Sequence, residues 1–423
     1  MNEDFLHYIW KFQRFNKKNL KLTSGESIEI IQPGILNTDS GPDFFNGQIK
    51  LNSTKWAGNV EIHKHSSDWL KHKHQDDLAY DKVILHVVWI DDTPIKRLSG
   101  EVIPCIELKG LVSKVLLEQY DQLQKEFTLI PCESSIKSVD SFIIETFLER
   151  LAFERLEHKS QRLNQLLKLN KNDWESTLYQ MLAKYFGFKV NAIPFELLAQ
   201  SLPYSIIRKH VGNLFQLEAL LFGQAGLLEG DFKGNYPRDL QQEYHYLKAK
   251  YRLKAIEPSL WKFMRMRPVN FPSIRIAQFA ALLNEKKALF ESIVNENEVQ
   301  QLEKTFSVSA SAYWDSHFRF DKPAANKRSK KLGVLAINTL LINSIIPLIF
   351  NYAKQKGDGE LSERALFFLT QFKPEKNKIT RLWSHFNIQA DNAQQSQALI
   401  ELKTNYCDLK KCLNCSIGNS ILK

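Results

Sequence analysis

SGPDFFNGQIKLNSTKWAGNVEIHKHSSDWLKHKHQDDLAYDKVILHVVWI, residues 40–90, is the stretch whose reading decides the fold of this chain. It opens on the turn chemistry of Ser40-Gly41-Pro42-Asp43 and passes into an alternating strand, Phe45 to Leu51. A break is expected at Ala57-Gly58-Asn59, then a second strand, Val60-Glu61-Ile62-His63, and a polar helix over Ser67–Tyr80. The stretch closes on a nearly pure apolar strand, Val83 to Ile90, interrupted by His86. Side chains two apart on a strand share a face, so Glu61 and His63 point together while Val60 and Ile62 pack. If the two strands pair as a hairpin turning around Thr54–Gly58, Asp43 comes near that face. Two carboxylates and an imidazole around one point suit a hard divalent cation, Mg²⁺ or Mn²⁺. Such a cation polarises a phosphoryl oxygen and lowers the pKa of an attacking water.

Five of the chain's 11 histidines, His63, His65, His72, His74 and His86, fall in this stretch. On the expected helix, Asp68, His72 and Asp76 share one face. A purely His/Asp site for zinc or manganese is therefore the competing metal reading, with His72, His74, Asp77 and His86 as its candidates. Pro42-Asp43 also serves as ordinary turn chemistry, and His86 also fits a hydrogen-bonded core histidine.

The rest of the chain frames this stretch. Its 423 residues are too many for one ordinary core, and 43% hydrophobic with 25% charged content is that of a globular protein. Helical spacing is expected over residues 5–16, a short strand at Ser27–Ile31, and an edge strand at Val102–Leu108, where Pro104 can donate no ladder bond. Residues 1–130 thus read as an α/β or α+β domain. After Pro131 the pattern turns to helical periodicity, giving a mostly α-helical domain over 138–400 and a cysteine-containing tail over 401–423, with the boundary near 125–138. Leu332–Ala353 is uncharged and long enough to span a bilayer. Its Asn338, Thr339, Asn343, Ser344 and Pro347 favour a buried helix, so no membrane partner is expected. The acidic N-terminus shows no signal-peptide pattern, and five cysteines are no disulfide framework, so a cytoplasmic setting is expected.

A net charge of +10 suits a phosphate-bearing partner, and nucleic acid is the one expected. Arg267 and Arg275, in the segment Arg265–Arg275, are candidates for phosphate contacts, or else brace a proline-rich loop. The basic run 327–331 reads as a solvated linker. In the tail, Cys407, Cys412 and Cys415 have the C-x4-C-x2-C spacing of a soft-metal site, zinc or an iron–sulfur cluster. The fourth ligand is sought in Cys132, Cys105 or a histidine.

Gly41-Pro42-Asp43, a gap, then Glu61-Ile62-His63 resembles the PD-(D/E)xK signature of the restriction-endonuclease-like superfamily. The helix and buried strand that follow are similar to the order of that core. The resemblance implies a mixed sheet, with Asp43 and Glu61 as metal ligands and His63 positioning water where the superfamily has lysine. Across nearly the whole chain, GPDF, GNVEIH, SSDW, ILHVV, FGQAGLL, RPVNFPSIRIAQFA and the terminal cysteines also resemble an uncharacterised bacterial family, domain of unknown function 2851. The function expected is a metal-dependent phosphodiesterase acting on nucleic acid. Two alternatives stand beside it: a non-catalytic nucleic-acid-binding or scaffold protein with a degenerate nuclease core, and a His/Asp metallohydrolase of a small molecule.

Overall fold

A computed structural model describes residues 2–37, 40–97, 99–124, 129–285 and 288–423. The chain forms two compact units: Met1–Phe147 joined by Leu402–Lys423, and Leu148–Glu401. Of the expected boundary span 125–138, residues 125–128 lie outside the described residues.

The first unit is built on a mixed sheet. Helix α1 (Glu3–Lys11) starts at Asn2, whose side chain accepts the Phe5 amide at 3.2 Å. It is followed by strands β1 (Ile28–Gln32), β2 (Ile35–Leu36), β3 (Phe44–Leu51) and β4 (Thr54–His65). A short helix α2 (Asp68–Lys71) leads to β5 (Val83–Ile90), and β6 (Cys105–Glu107) and helix α3 (Lys114–Leu123) complete the unit's main elements. The sheet order is β1-β3-β4-β5-β6, with β2 also paired to β3. The pairs β1–β3 and β3–β4 are antiparallel, whereas β4–β5 and β5–β6 are parallel. Apolar runs explain why β4 and β5 lie inside: Val60, Ile62, Val83, Leu85, Val87 and Val88 are all essentially inaccessible.

Three local expectations are corrected. The break at Ala57-Gly58-Asn59 does not occur, because β4 runs unbroken through it for 12 residues. The hairpin turns instead at Asn52-Ser53, with Asn52 in the left-handed region at φ 53°. Gly58 serves a different purpose: a Cβ there would sit 2.4 Å from Ile84 Cγ2 and 2.6 Å from the Lys82 carbonyl oxygen. The helix over Ser67–Tyr80 is also corrected. Only α2 forms, and Lys73, at φ 59°, breaks the chain into two 3₁₀ turns, His74–Asp76 and Leu78–Tyr80. The sequence there lacks a continuous apolar face to hold a long helix down. Asp68, His72 and Asp76 therefore do not share a helix face. Gly58→Ala is expected to cost about 1–3 kcal/mol through overpacking between β4 and β5. A fall in the urea midpoint checks it, and an unchanged midpoint would refute the close approach.

The second unit is mostly helical. It takes the rest of helix α4 (Ser141–Leu169) and adds helix α5 (Trp174–Phe186) and helices such as Leu214–Gln224, Asn235–Tyr251 and Pro272–Glu285. One core runs through it, with Phe186, Phe195, Phe222, Phe279, Trp314 and Phe350 fully buried. Val334–Lys356 is long and apolar enough to cross a membrane, and 67% of its most apolar window is buried inside the protein. The basic run 327–331 is corrected in part: Lys330 is buried, and Lys331 bridges to Ser309.

Glu218 is buried within helix Leu214–Gln224, where it accepts from the Tyr236 hydroxyl and, at 3.1 Å, from Ser311 Oγ. Burial pushes its carboxyl up to about 7, against the lowering effect of those bonds. A raised acid binds its proton more tightly folded than unfolded, so stability falls as pH rises from the ordinary carboxyl range to about 7. Glu218→Gln is expected to flatten the pH dependence of the thermal midpoint between those limits, a difference of roughly 1–3 kcal/mol. An equally steep profile in the variant would refute the assignment.

Candidate metal centre

Strand alternation places Glu61 and His63 on one face of β4, and the parallel register sets Glu61 beside His86 of β5. Asp43 stands just before β3. A bulge between Phe44 and Gly47, with Asn46 at φ 56°, re-aims the start of that strand. The two acids then lock reciprocally. Glu61 Oε2 accepts the Asp43 amide at 3.0 Å, and Asp43 Oδ2 accepts the Ile62 amide at 2.9 Å. From α1, His7 Nε2 lies 3.1 Å from Asp43 Oδ2, within ion-pair reach but off the line of a hydrogen bond.

Around the remaining oxygen of Glu61 the imidazoles gather. Oε1 is 3.6 Å from His63 Nε2 and 3.4 Å from His74 Nε2. His63 Nε2 also lies 3.1 Å from His72 Nδ1, while its Nδ1 lies 2.9 Å from His86 Nε2. One nitrogen from each of His63, His72 and His74 falls within 4.8 Å of the others. His63 is buried, His74 half-buried and His72 exposed, so the cluster opens toward solvent on the His72 side. Trp69 packs edge-on against His63, His74 and His86, and Tyr80 stacks on His74 at 3.8 Å.

The electrostatics follow from this crowding. Burial, then the Asp43 charge, raises the Glu61 carboxyl well above its usual range. Burial, then the neighbouring imidazoles, holds His63 far below the ordinary histidine value, and burial lowers His86 and His74 too. Burial would lower His7, but Asp43, Asp4 and Glu3 outweigh it and raise it. The result is a Glu61 carboxyl that keeps its proton at neutral pH until a cation displaces it, beside the neutral rings of His63 and His74. Imidazole with carboxylate suits manganese, zinc or iron better than magnesium. Three such nitrogens with an open side are the donor pattern of catalytic rather than closed structural sites.

Asp43, Glu61, His63, His72, His74 and His86 are thus brought together. Asp77 has a different task, its Oδ1 accepting the Ala79 amide at 2.9 Å as the cap of the second 3₁₀ turn. Arg267 and Arg275 belong to the second unit. His7 escaped sequence reasoning, although it is the one histidine inside the apolar run Phe5-Leu6-His7-Tyr8-Ile9-Trp10.

The cysteine tail belongs to the same unit, and Cys132 is there too. Burial raises the thiols of Cys132 and Cys412 to about 12, and that of Cys407 further. After burial, the largest influence on each is another member of the set: Cys415 on Cys132 and Cys412, and Cys132 on Cys407. Cys132, Cys407 and Cys412 form no disulfide. Cys105 stands elsewhere, on β6, where Asp91 and Thr23 are its neighbours. Gly418 lets the last helix close over the cysteines, since a Cβ would meet the Cys412 carbonyl oxygen at 2.2 Å.

Over residues 3–378 the chain matches the model of a family described as Protein of unknown function (DUF2851). It belongs to the DUF2851 family. No curated protein and no solved structure matches the chain. The stretch matched to DUF2851 contains His7, Asp43, Glu61 and the imidazole cluster, and Cys132 as well, whereas Cys407, Cys412 and Cys415 follow it.

Proposed function

We propose that the first unit of this DUF2851 protein is a metal-dependent phosphodiesterase with a restriction-endonuclease-like core, acting on nucleic acid. The observation that carries the reading is the reciprocal Asp43–Glu61 lock, with the second oxygen of Glu61 turned toward His63 and His74. The order of elements supports it. A helix, three antiparallel strands, a crossover and a parallel strand are similar to that superfamily's core, with Asp43 entering the middle strand of the three and Glu61-x-His63 on the next. Topology alone is shared by many activities, so the site decides.

His63 stands where the superfamily has lysine and supplies no fixed charge. Its hydrogen bond to His86 fixes the ring and leaves Nε2 directed at His72 and Glu61. That makes it a ligand in this reading, beside His72, His74 and Glu61, with Asp43 contributing its charge from the other strand. A manganese or zinc ion held by these residues would supply an activated water and would polarise a phosphoryl oxygen. His7 neutralises part of the Asp43 charge, which would otherwise repel a phosphodiester.

A second reading, a metallohydrolase of a small molecule, is favoured by the three imidazoles. A third, a non-catalytic nucleic-acid binder, is favoured by the missing lysine. Chelator-stripped protein titrated with Mn²⁺, Zn²⁺ and Mg²⁺, with labelled DNA and RNA as substrates, separates them. Glu61→Gln and His72→Ala are expected to weaken metal binding roughly 10–100-fold and to remove Mn²⁺-dependent cleavage, with circular dichroism unchanged. Metal binding unaffected in both variants would reject the centre. Hydrolysis confined to small esters selects the second reading, and salt-sensitive binding without turnover in any metal selects the third.

We also propose that Cys132, Cys407, Cys412 and Cys415 hold a zinc ion or an iron–sulfur cluster. Thiols whose ionisation is disfavoured by burial and by neighbouring thiols, as at Cys132, Cys407 and Cys412, become stable thiolates around a cation. Metal analysis of anaerobically purified protein is expected to find zinc, or iron with sulfide and a visible absorption band. Cys412→Ser should remove it and lower the thermal midpoint. Metal-free protein with all four thiols freely titratable would overturn the proposal.

A further inference from the structure

The second unit contains a cavity of about 1320 Å³ whose chemistry is set by cations. Lys189, Arg265, Arg267 and Arg275 line it, together with Arg328, Lys330 and Lys331 from the basic run. Among its described lining residues there is no aspartate or glutamate, although the whole chain has 47 acids against 57 bases. Apolar groups lie between the charges, including Phe188, Val269, Val334 and Leu335.

Arg275 gives the strongest sign of what the cavity takes. It sits in the first turn of helix Pro272–Glu285 and is 7% exposed. Its Nη1 donates to Gln278 Oε1 at 3.0 Å and its Nη2 to Asn270 Oδ1 at 2.7 Å, both neutral acceptors. The guanidinium lies 4.6 Å from the centre of the Phe188 ring, and Nε has no partner. A buried cation with only neutral partners is costly, and the group that relieves the cost is an anion. Burial lowers Arg275 only to about 10, so it remains charged at neutral pH.

The walls are held in place in advance. Asn191 and Lys262 exchange two hydrogen bonds: Asn191 Nδ2 donates to the Lys262 carbonyl at 3.0 Å, and the Lys262 amide donates to Asn191 Oδ1 at 2.9 Å. Phe188 and Arg265 take left-handed backbone conformations, φ 49° and 59°, which persist only where the surroundings enforce them. Lys330 Nζ donates to the carbonyls of Asp315 and Arg328, each at 3.0 Å, over the Phe318 ring. That anchor leaves Arg328 and Lys331 exposed at the cavity.

We propose that this cavity binds the phosphate backbone of a single nucleic-acid strand, with Arg275 as its buried phosphate anchor. The volume exceeds the roughly 300–1,000 Å³ of small-ligand pockets, and seven cations exceed what one phosphate group engages. Charges interleaved with apolar and aromatic groups match a strand whose phosphates alternate with base faces. A duplex presents its phosphates on a convex rod that a concave site does not admit. The proposal stands on the second unit alone and is independent of any activity at Asp43 and Glu61.

Fluorescence anisotropy of labelled oligothymidylate with the full-length protein, in EDTA and at several salt concentrations, tests it. EDTA takes metal-dependent turnover out of the readout, so the two proposals fail separately. The exposed double variant Arg267→Ala/Lys331→Ala is expected to bind at least 10-fold more weakly. Its salt slope should be shallower by about 1.4, at roughly 0.7 per lost phosphate contact. Arg275→Gln should show a similar loss with its thermal midpoint within a few degrees of the parent. Affinity unchanged in the double variant would overturn the proposal. So would inorganic polyphosphate of equal charge competing as well as the strand, or a duplex of the same length binding more tightly.

Discussion

Two carboxylates that each accept a backbone amide from the other's strand fix the geometry of the first unit's centre. A carboxyl taken out of water is tolerated when N–H groups satisfy it, and here buried Glu61 and half-buried Asp43 each commit one oxygen to that task. The bond from Ile62 draws Asp43 to the C-terminal part of β4, and the bond from Asp43 holds Glu61 against rotation. With Oε2 fixed, Oε1 has one direction left, toward His63 and His74. The bulge at Phe44–Gly47 makes this possible, because a regular ladder would carry Asp43 past Glu61 rather than beside it.

The imidazoles depend on a second constraint, the failure of α2 to continue. In an unbroken helix His72 and His74 would point about 200° apart. The left-handed turn at Lys73 folds the chain back, so both rings meet His63. The entry to that turn is fastened to the end of β5 by Asp92. It accepts from Ser66 Oγ and the Ser67 amide at 2.9 Å each and from Ser67 Oγ at 2.8 Å. Desolvation raises its carboxyl, but these bonds together outweigh it and hold the carboxyl at about 2. The result is a site whose parts come from rigid elements and one pinned turn, the arrangement that keeps ligand positions from drifting.

Much of this was legible from residue pattern. Alternation placed Glu61 with His63, the apolar run made β5 interior, and the periodicity after residue 138 separated helical from sheet-bearing chain. What pattern could not supply is instructive. Gly58 carries the signature of a strand break, yet its role is a close approach to β5, visible only once strands distant in sequence are paired. The break at Lys73 had no glycine or proline to announce it, and a lysine adopts the left-handed region only when tertiary contacts impose it. His7 lies 36 residues before Asp43, and only the docking of α1 on the sheet makes them neighbours. Lys330, in a run that reads as solvated, is buried because backbone carbonyls and the Phe318 ring receive it.

Charge distribution ties the chemistry together. A net +10 favours approach of any polyanion at low salt, but beyond about 8 Å physiological salt screens it, so local arrangement decides binding. At the cavity of the second unit the described lining holds seven cations and no acid, an arrangement that favours an anion. In the first unit it is the reverse: two acids, Asp43 and Glu61, stand side by side. Burial and the Asp43 charge disfavour ionisation of Glu61 and raise its carboxyl. His7 offsets only part of the Asp43 charge. A cation bound there would relieve that repulsion and displace the Glu61 proton, and ring nitrogens of His63, His72 and His74 converge where they would hold one.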